Sequence, residues 1–271
     1  MNGFPVFLLK KRAQRGFDAL SYFGADLDYW FQSTAEIKKA GGDPATLQDD
    51  KLDQWLDQSG NDRTLSQAVD ARRPTLNLAA RMNGIQTINF DGVDDLMTCV
   101  HPTGDPGFVI IVYRLNSLVS IRDLLTVSQG AVVNRNLICR AWNSVAIPNH
   151  LIAQINTDTY DIIHGDTVIT TATDYLSIWS STNGTSYDMW VNDVLQGKTI
   201  FNGADTGDWL DDVGNKDVMS VGASLVGGGG PSNEAAMDAT EIIGVNRRTL
   251  STLDRATVTD YVADKYAITM G

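Results

Sequence analysis

Phe108-Val109-Ile110-Ile111-Val112-Tyr113 is an unbroken apolar run of strand length, bounded by Gly107 and Arg114. Four of its residues are β-branched, which suits a pleated surface, and its lack of polar alternation predicts a strand buried on both faces. Working outward, Thr87-Ile88-Asn89-Phe90 alternates in polarity and runs into Asp91-Gly92, a strand followed by a turn. Further strands are predicted at 124–127, 137–142, 151–155, 175–180, 188–191, 218–221 and 239–245. Asn183-Gly184 has the chemistry of a two-residue hairpin turn, because both residues tolerate positive φ. Gly227 to Gly230 followed by Pro231 reads as a loop.

Composition agrees. Of the 33 acidic residues only Glu36, Glu234 and Glu241 are glutamates, leaving 30 aspartates. Aspartate favours caps, turns and cation sites, whereas glutamate favours helix interiors. The chain therefore reads as all-β and rich in turns, with two helical exceptions. A short helix is expected over Thr34–Lys39, capped by Ser33 and stopped by Gly41-Gly42. A longer one is expected at about 252–266, with Ser251 as N-cap, Asp254 in the first turn, and an apolar stripe through Val258, Val262 and Tyr266.

The net charge of −12 on 271 residues argues against a general nucleic-acid binder, which needs a basic face. No apolar run reaches the roughly 20 residues that span a bilayer, so membrane insertion is not expected. Residues 1–25 differ from the rest: Lys10, Lys11, Arg12 and Arg15 face Asp18 alone, and Phe4 and Phe7 lie in the apolar run ahead of them. That order is the reverse of a secretory signal. It reads as a docking segment over residues 1–24, with a first strand through Phe17–Phe23 as the alternative. Cys99 and Cys139 read as buried thiols.

Three segments, in order, carry a family resemblance. They are Gln54-Trp55-Leu56-Asp57-Gln58-Ser59-Gly60-Asn61 with Arg72-Arg73-Pro74-Thr75-Leu76; Asn83-Gly84-Ile85-Gln86-Thr87-Ile88-Asn89-Phe90-Asp91-Gly92-Val93-Asp94-Asp95; and Ala239-Thr240-Glu241-Ile242-Ile243 with Asn246-Arg247-Arg248-Thr249-Leu250-Ser251 and Tyr261-Val262-Ala263-Asp264-Lys265-Tyr266. Tyr187-Asp188-Met189-Trp190-Val191-Asn192-Asp193-Val194 falls between them, with Asp193 where the family usually has Gly. Over residues 25–271 the chain resembles the concanavalin A-like, laminin-G-like jelly rolls of bacteriophage virion proteins and bacterial surface proteins. The resemblance implies a two-sheet antiparallel sandwich with a C-terminal helix, on a tail, fibre or capsid. It also implies a virion location, with other virion proteins, further copies of the chain and a host-surface glycan as partners. Two roles follow, glycan attachment and particle decoration.

Hydrolysis on this fold needs two carboxylates about 5 Å apart on one strand face. Glu234, Asp238 and Glu241 have the wrong spacing, and Glu36 stands alone. A polysaccharide-active enzyme is therefore the alternative and a non-enzymatic protein the expectation. Gly222-Ala223-Ser224-Leu225-Val226-Gly227 misses the nucleophile elbow by one residue. His101, His150 and His164 lack the close spacing of transition-metal motifs. Calcium is the cofactor to expect, since it takes six to eight oxygens from carboxylates and loop carbonyls. Asp91, Asp94 and Asp95 form one candidate cluster, and Asp205, Asp208, Asp211 and Asp212 another. For a sugar face, Trp142, Trp179, Trp190 and Trp209 are candidates. Trp209, with Asp208 and Asn215, lies in an acidic, Gly-rich stretch expected at the surface.

Overall fold

The computed structural model describes residues 17–104, 107–129, 136–156, 160–182, 185–225 and 230–271. Phe4 to Arg15, Asn183-Gly184, where a hairpin turn is expected, and Gly227 to Gly229 lie outside the described residues. Two antiparallel sheets face each other. The first contains β1 (Leu27–Gln32), β5 (Thr75–Met82), β6 (Ile85–Asp91), β8 (Gly107–Leu115), β13 (Asp174–Ser181), β14 (Tyr187–Val191), β15 (Val194–Leu195) and β18 (Ala236–Asn246). The second contains β2 (Ile37–Lys39), β3 (Leu52–Trp55), β4 (Leu65–Ser66), β7 (Met97–Val100), β9 (Ile121–Ser128), β10 (Asn136–Trp142), β11 (His150–Asn156), β12 (Tyr160–Val168), β16 (Thr199–Asn202) and β17 (Val218–Val221). This is the all-β jelly-roll sandwich that the sequence predicts.

β18 organises the first sheet. β8 pairs along one of its edges, while β6 and then β1 share the other, with a register shift between Ala239 and Glu241. β8 carries the Phe108–Tyr113 run and is buried on both faces. Val109, Ile111 and Tyr113 enter the core between the sheets; Phe108, Ile110 and Val112 face outward beneath the helices. Trp55 is fully buried against Phe31, and its Nε1 donates to the Gln32 carbonyl at 2.9 Å.

The C-terminal helix α2 (Thr252–Tyr266) falls where predicted. Ser251 accepts from the Asp254 N–H at 3.1 Å, and Asp254 accepts from the Ser251 N–H at 3.1 Å, a complete capping box. Two local expectations are corrected. Residues 37–39 form a strand, since pairing with β3 outweighs the weak helical preference of so short a segment. Residues 19–23 form a helix, α1 (Ala19–Phe23), because Asp18 accepts from the Leu20 and Ser21 N–H groups and caps it. Ala19 and Phe23 are buried in the cluster under α2.

The Asn192-Asp193 turn replaces the glycine of the resembling family without strain relief from a missing Cβ. Both residues take positive φ, 47° and 70°, as a two-residue hairpin requires. The Asp193 carboxylate then gains a use that glycine lacks. It pairs with Arg255 and accepts from Thr259 Oγ1 at 3.2 Å, tying the turn to α2.

Candidate functional site

Three connections meet at one end of the sandwich: 116–120 after β8, 143–149 after β10, and 169–173 after β12. Between them lies a groove of 510 Å³ lined by Asn116, Ser117, Asn143, Asn149, Thr170 and Thr171, with Leu118 and Val119 as its apolar part. No lining side chain is charged, so the polar side chains of the groove are amides and hydroxyls.

Each amide is held differently. Asn116 Nδ2 donates to Asp238 Oδ2 at 3.0 Å; Asp238 is fully buried and also accepts from Asn77, Thr87 and Asn89. Asn143 Nδ2 donates to the Leu118 carbonyl, which ties two of the three connections together. Asn149 takes a left-handed φ of 58°, and its carbonyl accepts from Ile169 N–H at 2.7 Å. Its side-chain Oδ1 is buried with no hydrogen-bond partner. A buried amide oxygen without a donor costs about 1–3 kcal/mol, so a ligand hydroxyl that reaches it gains correspondingly. Trp142 precedes this groove in the chain. Its half-buried ring meets the exposed ring of Phe201 edge-on, with centroids 5.9 Å apart, and the Arg140 guanidinium lies 5.8 Å from its centre.

Trp209 is not the exposed ring that its loop composition predicts. It is 2% exposed, packs over Gly107, and its Nε1 points to Asn246 Oδ1 at 3.4 Å. The acidic, Gly-rich chain lies at the surface but folds its one large apolar ring inward, where burial of an indole outweighs loop exposure. Trp209 therefore offers no face to a sugar, and Asp208 and Asn215 flank no exposed ring there. Trp179 is buried too, while Trp142 and Trp190 are both half-buried, Trp190 against the apolar cluster beneath α2.

Three of the four later aspartates are engaged in separate structural bonds. Asp205 accepts from Tyr187 N–H at 2.7 Å and from Lys198 Nζ at 2.8 Å. Asp211 accepts from Gly104 N–H at 2.8 Å, and Asp212 accepts from Trp209 N–H at 2.8 Å. Among the described residues, the one carboxylate group close enough to share an ion is Asp91, Asp94 and Asp95, with ligand atoms within 4.8 Å of one another. Gly92, at φ 77°, makes this turn close; a Cβ there would sit 2.6 Å from Ala236 Cβ. Asp91 Oδ1 accepts from Val93 N–H at 2.8 Å, and Asp95 Oδ2 accepts from Asp91 N–H at 2.9 Å, so one oxygen of each is already engaged. The remaining oxygens suit a hard cation that completes its shell with water and carbonyls. Burial, and then the charges of Asp91 and Asp94, push Asp95 up to about 7.

Glu241, one of three glutamates, is fully buried beneath α2 rather than open to any groove. Cys99 and Cys139 are free; burial pushes the Cys99 thiol up to about 12 and raises Cys139 further, so both are inert at neutral pH. No helix is long and apolar enough to cross a membrane among the described residues.

No family model matches the chain, and no curated protein matches it in sequence. Solved structures with a similar sandwich include the CBM40 of the Ruminococcus gnavus IT-sialidase bound to alpha2,3 sialyllactose, at 15% identity and TM-score 0.47 over 57% of this chain and 82% of that one. Another is the NanB sialidase of Streptococcus pneumoniae, at 15% identity and TM-score 0.46 over 57% and 24%. A third is the Trypanosoma rangeli sialidase in complex with sialic acid, at 11% and 0.48 over 89% and 34%. These likenesses carry no conclusion on ligand or activity.

Proposed function

We propose that this chain is a non-enzymatic, glycan-binding jelly roll of a bacteriophage virion, taking a neutral sugar in the groove beside Trp142. The observation that supports it is the groove's lining: amides and hydroxyls without charge, one buried amide oxygen lacking a donor, and a half-open aromatic ring next in the chain. Neutral hydroxyl-rich ligands need that combination of bidentate amides and a stacking face. The ordered sequence motifs support the virion placement, and residues 1–16 supply the docking segment through Phe4, Phe7, Lys10, Lys11, Arg12 and Arg15.

One pair of measurements tests both halves. On a glycan array the full chain should retain a neutral glycan, and Asn149→Ala and Trp142→Ala should each weaken it by roughly tenfold, about 1.4 kcal/mol. Equal binding by Asn149→Ala would remove the groove from the account. Deleting residues 1–16 should abolish incorporation into particles while leaving glycan binding intact, since Phe17 onward is packed; normal incorporation would refute the docking role.

Calcium belongs at the Asp91, Asp94, Asp95 turn in this reading, as a brace for the same end of the sandwich. Millimolar calcium should raise the melting midpoint of the wild type and leave Asp95→Asn unmoved; no shift in either sinks the site. Without calcium the sign is set by Asp95. The folded state keeps its proton to about 7 and the unfolded chain releases it near 4, so this carboxyl's contribution is full below about pH 4 and lost as the pH rises to 7. Asp95→Asn should therefore stabilise more at pH 7.5 than at pH 5.

A further inference from the structure

His150 and His164 are 14 positions apart in sequence, and no helical or loop motif relates them. The second sheet brings them together. Ile152 lies opposite His164, and the register breaks before His150, which lies opposite Val168, so Gly165–Thr167 form a bulge against Leu151. Diagonal neighbours on adjacent strands ordinarily lie about 7–8 Å apart. Here the two imidazole centroids are 5.1 Å apart, with the rings tilted by 41°.

The free nitrogens can be assigned. His164 Nδ1 lies 2.9 Å from the Gly165 carbonyl, which only accepts, so this nitrogen carries the proton and Nε2 keeps its lone pair. A ring N–H given to a backbone carbonyl is how a metal-binding histidine is commonly oriented. His150 Nδ1 is buried and has no hydrogen-bond partner. The half-exposed ring of His164 and the exposed Asp166 leave room for water beside the pair.

We propose that His150 and His164 bind one divalent transition-metal ion of the zinc class, each through one ring nitrogen, with water completing the shell. Two imidazoles sharing a tetrahedral zinc at about 2.1 Å from each nitrogen have centroids roughly 5 Å apart, so the pair is already spaced for the ion. Imidazole nitrogen selects zinc, copper or nickel over calcium and magnesium, which separates this site from the aspartate turn. The chain's net charge of −12 adds a general attraction for cations.

The test is a cobalt(II) titration of the full, untagged chain followed by absorption, with zinc added in competition. One equivalent should bind with the visible bands of a low-coordinate nitrogen site, zinc should displace it, and millimolar calcium should not. His164→Gln should weaken zinc by at least about tenfold, the scale on which even supporting partners of a metal ligand act. His101→Gln should bind as the wild type does. Melting curves run alongside show that each variant is folded. Absence of saturable zinc binding below millimolar, or undiminished binding by the His150→Gln/His164→Gln double variant, would overturn the proposal.

Discussion

Replacing Glu241 with alanine is expected to lower stability by about 3–5 kcal/mol, the cost of removing one partner from a buried charged cluster. Five groups converge on this carboxylate. Trp30 Nε1 and Gln32 Nε2 donate to Oε1 at 2.7 and 2.9 Å; Tyr266 OH and Lys265 Nζ donate to Oε2 at 2.6 and 3.0 Å; Tyr261 OH reaches both oxygens at 2.9 and 2.8 Å. Two donors come from β1 and three from α2, so the carboxylate rivets the helix to the sheet. Burial and the Glu241 charge raise both tyrosines, which therefore remain protonated donors at any ordinary pH. With about 2–4 °C lost per kcal/mol in a chain of this size, the midpoint should fall by more than about 6 °C. Glu241→Gln should fall less, because its amide oxygen still accepts while Lys265 loses its counter-charge. A midpoint within 2 °C of the wild type for the alanine variant would show that the cluster contributes nothing.

This use of Glu241 shows what the sequence made legible and where it stopped. Phe108–Tyr113 could be read because burial on both faces erases polar alternation, and α2 because Ser251 and Asp254 cap it within four residues. Both signals are local. The misread segments are those where distant contacts decide. Ile37–Lys39 becomes a strand only through Leu52–Trp55, and Trp209 turns inward only because Gly107, a hundred residues earlier, leaves space for its ring. The groove was illegible for a similar reason. Asn116, Asn143 and Asn149 sit on separate connections and look like ordinary turn residues until the sandwich brings them together. Composition points to Trp209 among the aromatic residues, because its neighbours in sequence are polar and Gly-rich, while in space the ring is buried. The histidine pair depends on a bulge, which has no linear signature.

Arg140→Met should be nearly as damaging as loss of Glu241, and the reason reaches the proposed binding face. Arg140 and Asp123 are cross-strand partners on the outer side of the second sheet, 4% and 0% exposed. The guanidinium donates from Nε to Asp123 Oδ1 at 2.7 Å and from Nη2 to Oδ2 at 3.1 Å, and from Nη1 to Gln154 Oε1. Asn233 Nδ2 adds a fourth donor to the cluster at 3.1 Å from Asp123 Oδ2. Removing the arginine strands a buried carboxylate, at a cost of about 3–5 kcal/mol. Removing both charges does not, because a buried pair replaced by apolar groups of similar volume is often neutral in stability. Asp123→Leu/Arg140→Met should therefore regain most of what Arg140→Met loses in urea unfolding, a coupling that a double-mutant cycle reads directly. Glycan binding should not recover with it. The cation 5.8 Å from the Trp142 ring is gone in both variants, and with it one contact of the ring proposed to stack on the sugar. A double variant that is stable and binds glycan as the wild type does would detach Arg140 from the site and leave it a purely structural charge. One that stays as unstable as Arg140→Met alone would show that Gln154 and Asn233, rather than the ion pair, set the cost.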